Sequence, residues 1–166
     1  MPYSDLLTII DAANPAGRNY YERGSLVREL TDEVIDHIVA SAEGLTSPYS
    51  VILIQHIHGA ASRVALTATA FPARGEYFLP LNIAAWDGER GARHIAWARN
   101  AWAALQPFAV QEAYVNFMND EGPDRVRTAY GVNYERLVAL KDKYDPANFF
   151  RLNQNIRPTV QDDDGW

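Results

Sequence analysis

The sequence predicts an α+β fold: an antiparallel sheet of about four strands with helices packed on one face. Three observations carry that prediction. Three apolar runs follow one another across residues 49–86 with short connections. A fourth run alternates over 111–118, and stretches with helical apolar spacing flank the set. The chain has 166 residues, 48% hydrophobic and 22% charged, which suits one folded domain with its own core.

Residues 1–17 read as a lead-in, with turn signals at Asn14-Pro15 and Ala16-Gly17. The first helix falls at 31–43. Thr31 is its N-cap, Asp32 and Glu33 suit the positive end of the dipole, and Val34, Ile35, Ile38, Val39 and Ala42 form its apolar stripe. Gly44 stops it.

Three strands follow. Residues 49–58 (YSVILIQHIH) are continuous enough to be buried on both faces. Residues 62–70 (SRVALTATA) come next, after a Gly59 turn, and 76–86 (EYFLPLNIAAW) after Arg74-Gly75. Pro80 cannot donate to a ladder, which places its strand at an edge or on a bulge.

Asp87-Gly88 then opens a helix over 89–105, with Ile95, Ala98, Trp102 and Leu105 inward and Pro107 marking its end. Along 111–118, Ala113, Val115 and Phe117 point one way, and Tyr114, Asn116 and Met118 the other. A short helix at 123–129 carries Pro123 in its first turn. Another, at 133–144, has Asn133 as its cap, Leu137, Leu140 and Tyr144 on one side, and Asp145-Pro146 at its end. Residues 159–166, with Asp162-Asp163-Asp164-Gly165, read as an acidic, solvated tail.

Composition narrows the chemistry. With no Cys, disulfides, thiolate metal sites and a Cys nucleophile are excluded. Fifteen Lys plus Arg against 21 Asp plus Glu give a net charge of −6, unsuited to a general nucleic-acid partner. No apolar run approaches the ~20 residues of a membrane span, and MPYSDLLTII lacks a basic n-region. A cytoplasmic address without membrane attachment is the expectation. No dinucleotide fingerprint, P-loop or nucleophile elbow is present.

His56 and His58, two apart on one strand, share a side. They could hold a metal given a third ligand, but they read better as polar positions ending a strand, and no metal is expected. His37 and His94 read as structural or surface residues. Tyr114 and Asn116 present a phenol and an amide together. A tyrosine serves as general base where positive potential lowers its pKa; the same pattern also describes a wet strand face. Asn153 and Asn155, two apart in RLNQNIRP, project together in extended chain toward a polar ligand, or else fill a turn.

AYVNFMND, followed by RTAYGVNYERLVALKDKYDPANFFRLNQNIRP, resembles the C-terminal signature of the berberine-bridge-enzyme-like FAD-linked oxidases, in the vanillyl-alcohol-oxidase superfamily. GAASRVALTATAFPAR resembles the same family's glycine turn, strand and Phe-Pro-His-Arg run. EYFLPLNIAAW resembles its next strand, and NYYERGSLVREL the piece leading into the substrate-domain helix. The likeness covers about residues 18–158. It implies a substrate-domain-like region over 18–144 and a berberine-like segment over 145–158.

What the resemblance implies is specific. In that family a sheet roofs the flavin ring, substrate gives a hydride to the flavin, and a tyrosine or acidic residue on the sheet takes the substrate's proton. Tyr114 matches the family's Tyr-x-Asn tyrosine and becomes the catalytic candidate. Asn116 beside it and Asn82 become substrate-binding candidates, and Asn153 and Asn155 cofactor-side ones. FAD is the implied cofactor and a small organic molecule the implied substrate.

The departures are also specific. Ala73 stands where the family often has His, and Leu79 and Leu81 where many plant members carry polar active-site groups. The attachment His, often paired with a Cys, has no counterpart. The expected function is therefore the substrate-domain portion of an FAD-linked oxidoreductase. It would lack the FAD-binding domain and work with a partner, either a separate FAD-binding chain or a second copy of itself. The alternatives are a flavin-free binding or cyclase-like module, or an inactive remnant.

Overall fold

The computed structural model describes residues 1–8, 11, 14–119 and 122–159; the acidic tail from 160 onward lies outside the described residues. A short helix α1 (Tyr3–Leu7) opens the lead-in. The remaining elements are β1 (Asn19–Gly24), α2 (Asp32–Glu43), β2 (Val51–Ile57), β3 (Tyr77–Trp86), α3 (Ala92–Leu105), α4 (Pro123–Tyr130) and α5 (Tyr134–Tyr144). The expected α+β class holds, with three strands among the described residues, all antiparallel, in the order β1-β3-β2.

The register has no slip. Asn19 pairs with Trp86 through to Gly24 with Leu81, and Val51 pairs with Ile83 through to Ile57 with Tyr77. Because side chains alternate, even-numbered β3 residues share one face and odd-numbered ones the other. The even face meets the long helices. Ala84 and Trp86 pack on Trp97 and Ala98 of α3, while Phe78 joins Val27, Val34 of α2 and Leu105 of α3. The odd face carries Tyr77 and Leu79, packed with Leu26, Ala73, Phe71, Tyr114 and Phe117.

The structure corrects five expectations. β1 lies within a stretch read only as a lead-in to the helix. Pro80 sits in the central strand without a bulge. Ser25 N–H donates to the Pro80 carbonyl at 3.2 Å, and the reciprocal bond would need the N–H that proline lacks. The missing donor therefore falls one residue past the end of β1, where the regular ladder stops. Pairing resumes only at Val27 and Phe78, which exchange bonds of 2.9 and 2.8 Å.

Residues 62–70 form no strand. They make a 3-10 turn at Ala61–Arg63 and further turns. Their carbonyls are taken by side chains instead of a ladder: Asn133 Nδ2 donates to Leu66 O at 2.9 Å and an Arg136 N–H to Thr67 O at 3.2 Å. Asn133 is thereby spent on packing and makes no cap bond to α5. The fourth expected strand, 111–118, is a 3-10 turn at Val115–Phe117. Finally, β2 is not buried on both faces: Val51 (48% exposed) and Leu53 (42%) face one side, and Ile54 (42%) the other.

α2 begins where expected. The Thr31 hydroxyl accepts from Val34 N–H at 3.3 Å, and Gly44 ends the helix. α3 starts at Ala92 and buries His94, Trp97, Ala98, Ala101 and Leu105. His94 stacks on Trp86 with ring centroids 5.3 Å apart, and its Nδ1 lies 2.8 Å from the Thr46 hydroxyl. Burial first, and then the neighbouring Arg93 charge, hold its pKa below the usual histidine value. It is a neutral core group.

Candidate functional site

The odd face of the sheet is closed by chain segments in place of helices. Tyr114 is extended, and Phe117 N–H donates back to Tyr114 O at 2.9 Å, closing the turn. An aromatic pair explains the turn: the Tyr114 and Phe117 rings meet edge-to-face at 5.1 Å, three residues apart, over the same apolar cluster. Phe71 meets Tyr114 edge-to-face at 5.5 Å from the other side. Tyr114 and Phe117 thus share one surface, contrary to the expected alternation.

The Tyr114–Asn116 pairing itself is present. Asn116 Nδ2 donates to the Tyr114 phenol oxygen at 2.8 Å. Gly24 makes room beneath: a Cβ there would lie 3.0 Å from Leu79 and 3.3 Å from Leu81 side-chain carbons, and 3.7 Å from Phe117 Cβ. Leu79 and Leu81 are both buried and face this side.

The berberine-like segment approaches from the far side. Asn155 N–H donates to Asn153 O at 3.0 Å, so Asn153 and Asn155 sit in a turn and not in extended chain. Asn148 and Asn153 both adopt left-handed backbone, with φ of 52° and 59°, which asparagine tolerates better than most residues. Gln154 Nε2 donates to Met118 O at 3.1 Å and Asn119 O at 3.2 Å. Asn119 Nδ2 in turn donates to Glu22 O on β1 at 3.0 Å. These two side chains stitch segment to turn and turn to sheet. Sequence reading missed both, because their partners are carbonyls far away in the chain.

Two hollows result. One, of about 420 Å³, is lined by Asn116 and Asn153 with Val115, Met118, Tyr130, Leu152 and Gln154. The other, of about 750 Å³, is lined by Asn153 and Asn155 with Asn119, Asn148, Arg151, Arg157 and others. They share Met118, Asn153 and Gln154. The fold therefore gathers Tyr114, Asn116, Asn153 and Asn155 in one region.

Asn82 does not join them. It lies on the even face, 1% exposed, with Nδ2 donating to Arg23 O at 3.2 Å beneath α3. That position gives a substrate no access to it, and its side chain is engaged in the core.

Two details mark the larger hollow. The side-chain oxygens of Asn148 and Asn155 are buried without a hydrogen-bond partner. Such atoms are costly unless something binds them. The segment is also firmly anchored. The Asp145 carboxylate accepts from Lys141 and from the N–H groups of Phe149 (2.8 Å) and Phe150 (3.0 Å). The Lys141 bond, reinforced by those amides, holds its pKa below the usual carboxylate range. The clamp leaves Phe149, Phe150 and Leu152 75%, 77% and 85% exposed. No helix among the described residues is long and apolar enough to cross a membrane. No group of three or more metal-ligating side chains occurs among them either, and His56 and His58 simply stack at 4.2 Å.

An antiparallel sheet backed by two helices has known counterparts. Residues 113–157 match the family model described as berberine and berberine-like. An FAD-linked oxidoreductase of Dictyostelium discoideum is 28% identical over 161 residues, covering 95% of this chain and 35% of that protein. The FAD-linked oxidoreductase YgaK of Bacillus subtilis is 32% identical over 138 residues, covering 81% of this chain and 30% of that one. Among solved structures, BBE-like 28 of Arabidopsis thaliana superposes with a TM-score of 0.79 at 22% identity, over 87% of this chain and 35% of that chain. Berberine bridge enzyme of Eschscholzia californica gives 0.71 at 22% identity, over 87% of this chain and 34% of that chain. The chain is thus similar in sequence and fold to the berberine-bridge-enzyme-like FAD-linked oxidoreductases, and it spans about a third of the length of the curated relatives it matches.

Proposed function

We propose that these 166 residues form the substrate-side portion of an FAD-linked oxidoreductase acting on a small organic molecule. The flavin would be held chiefly by chain outside them, whether continuous with this sequence or on a separate polypeptide. The observation that carries the reading is the Asn116–Tyr114 hydrogen bond of 2.8 Å, on a turn bordering hollows that also contain Asn153 and Asn155.

The residues fit a flavin edge. Such a ring offers one N–H and several acceptor atoms. The unpartnered Asn148 and Asn155 oxygens can accept, and Arg151, Arg157 and the carboxamide NH₂ groups can donate. When bound, FAD supplies the hydride acceptor. This chain's residues do the rest. Tyr114 takes the substrate's hydroxyl or amine proton at its phenol oxygen, which the Asn116 carboxamide holds in place. Phe149, Phe150 and Leu152, adjacent and exposed on a clamped segment, are suited to contact with that further chain.

The test is Tyr114→Phe in a preparation that includes the flavin-binding portion. Turnover should fall by roughly 10²-fold or more, with the fold unchanged by circular dichroism. Unchanged turnover removes Tyr114 from the chemistry. Tight FAD binding by the 166 residues alone would overturn the division of labour.

A further inference from the structure

The candidate residues around Tyr114 come from two stretches of chain, and each is tied down separately. The first is the turn at Val115–Phe117, which carries Tyr114 and Asn116. Rings fix its entry: Tyr114 meets Phe71 and Phe117 edge-to-face. Its exit runs through Met118 and Asn119, and Asn119 ties it to the Glu22 carbonyl of β1. The second stretch is the loop over 148–159, which carries Asn153 and Asn155. Both of its ends are held at α5. Asp145 and Lys141 grip Phe149 and Phe150 at the entry. At the exit, the Asp142 carboxylate accepts from Thr159 N–H at 2.7 Å and from the Thr159 hydroxyl at 2.6 Å.

Ties at both ends leave the middle of a loop free to shift. The middle is where Gln154 sits. Asn155 N–H donates to Asn153 O, a three-residue turn with Gln154 at its apex. A carboxamide NH₂ carries two N–H donors. Two successive carbonyls at the exit of the Tyr114 turn receive Nε2, Met118 O at 3.1 Å and Asn119 O at 3.2 Å. Among the described residues, these are the hydrogen bonds that join the loop to the turn. Gln154 also lines both hollows.

We propose that Gln154 is the positioning residue of this site. It fixes where Tyr114 and Asn116 stand relative to Asn153 and Asn155, and so aligns the proton acceptor with a ligand held beside those asparagines. The inference rests on the role proposed for Tyr114 above. The need for such a residue is general. A reacting group must be held within about 0.5 Å of its working geometry, and a misplacement of about 1 Å can cost ~10²-fold in rate. The ring contacts and the Asn119 bond tie the turn to the sheet side. The Asp145 and Asp142 bonds tie the loop to α5. Gln154 ties the two to each other.

Two substitutions test this. Gln154→Met keeps the length of the side chain and removes both donors, and Gln154→Glu sets a carboxylate oxygen against the two carbonyls. Amide exchange on the 166-residue chain reads the geometry without any activity. Phe117 N–H, which donates to Tyr114 O, and Met118 N–H, which donates to Val115 O, should exchange about tenfold faster in both variants. Phe78 N–H, bonded to Val27 O in the core, should keep its wild-type rate. In a preparation that includes the flavin-binding portion, kcat per flavin should fall by roughly tenfold or more, with KM and flavin content unchanged. Unchanged exchange at Phe117 and Met118 overturns the proposal. An equal acceleration at Phe78 also overturns it, by making Gln154 a general stabiliser. So does an unchanged kcat in both variants where Tyr114→Phe lowers it. Unchanged turnover in Tyr114→Phe instead removes the role of Tyr114 and this proposal with it, so that variant tells the two failures apart.

Discussion

The two faces of the sheet solve opposite problems. The even face is sealed by α2 and α3, with Ala84 and Ala98 wholly buried, and its polar groups are matched apart from the Trp86 indole N–H: Trp97 Nε1 donates to Ser41 O at 2.9 Å and Asn82 to Arg23 O. The odd face is closed by a 3-10 turn and a looped segment, and it leaves two buried carboxamide oxygens unmatched. The difference teaches where each face's residues are committed. Polar groups beneath the helices serve packing. Those beside Tyr114 are left free for something else, at a cost in stability.

The largest test of that contrast asks whether the looped face is nonetheless solidly packed. Leu79→Ala should cost about 2–5 kcal/mol in denaturant unfolding, as for any buried leucine. A loss under about 1 kcal/mol would mean that the Tyr114 turn is not seated on the sheet in solution. Next comes the acid response of the helix face. His94 has a folded-state pKa below its unfolded value of about 6.5. Its contribution is fully present above that value and is lost as pH falls through it toward the folded pKa. Stability should therefore drop below about pH 6.5, and His94→Phe should flatten the drop. Equal slopes in both proteins would detach the effect from His94.

The smallest expected effect sharpens the contrast most. Asn155→Leu replaces an unmatched carboxamide with an apolar group, and should raise stability by about 1 kcal/mol while weakening flavin-dependent activity. A clear loss of stability would show that Asn155 already has a structural partner.

Much of this was legible in the sequence because local rules decided it. Thr31, Gly44 and the Val34–Ile38 stripe specify α2 almost to the residue. Tyr114 and Asn116 emerged as a pair, although a turn and not a strand joins them. What was illegible depended on distant partners. Residues 62–70 alternate like a strand, but Asn133 and Arg136 claim their carbonyls. Asn82 looks like a site residue on its strand, and only the register places it under α3. β1 reads as a lead-in because Glu22 and Arg23 break its apolar pattern, while its pairing with β3 needs none.

Pro80 has a consequence for how the chain finds its register. A strand sliding past β3 by two residues would keep every side chain on its proper face, so burial alone cannot reject the error. Such a slip in one direction would set Arg23, inside β1, opposite Pro80, and its carbonyl would find no donor. In the native register that gap falls past Gly24, where the strand has already ended. The proline therefore works as a proofreading mark: it penalises a misalignment that hydrophobicity tolerates.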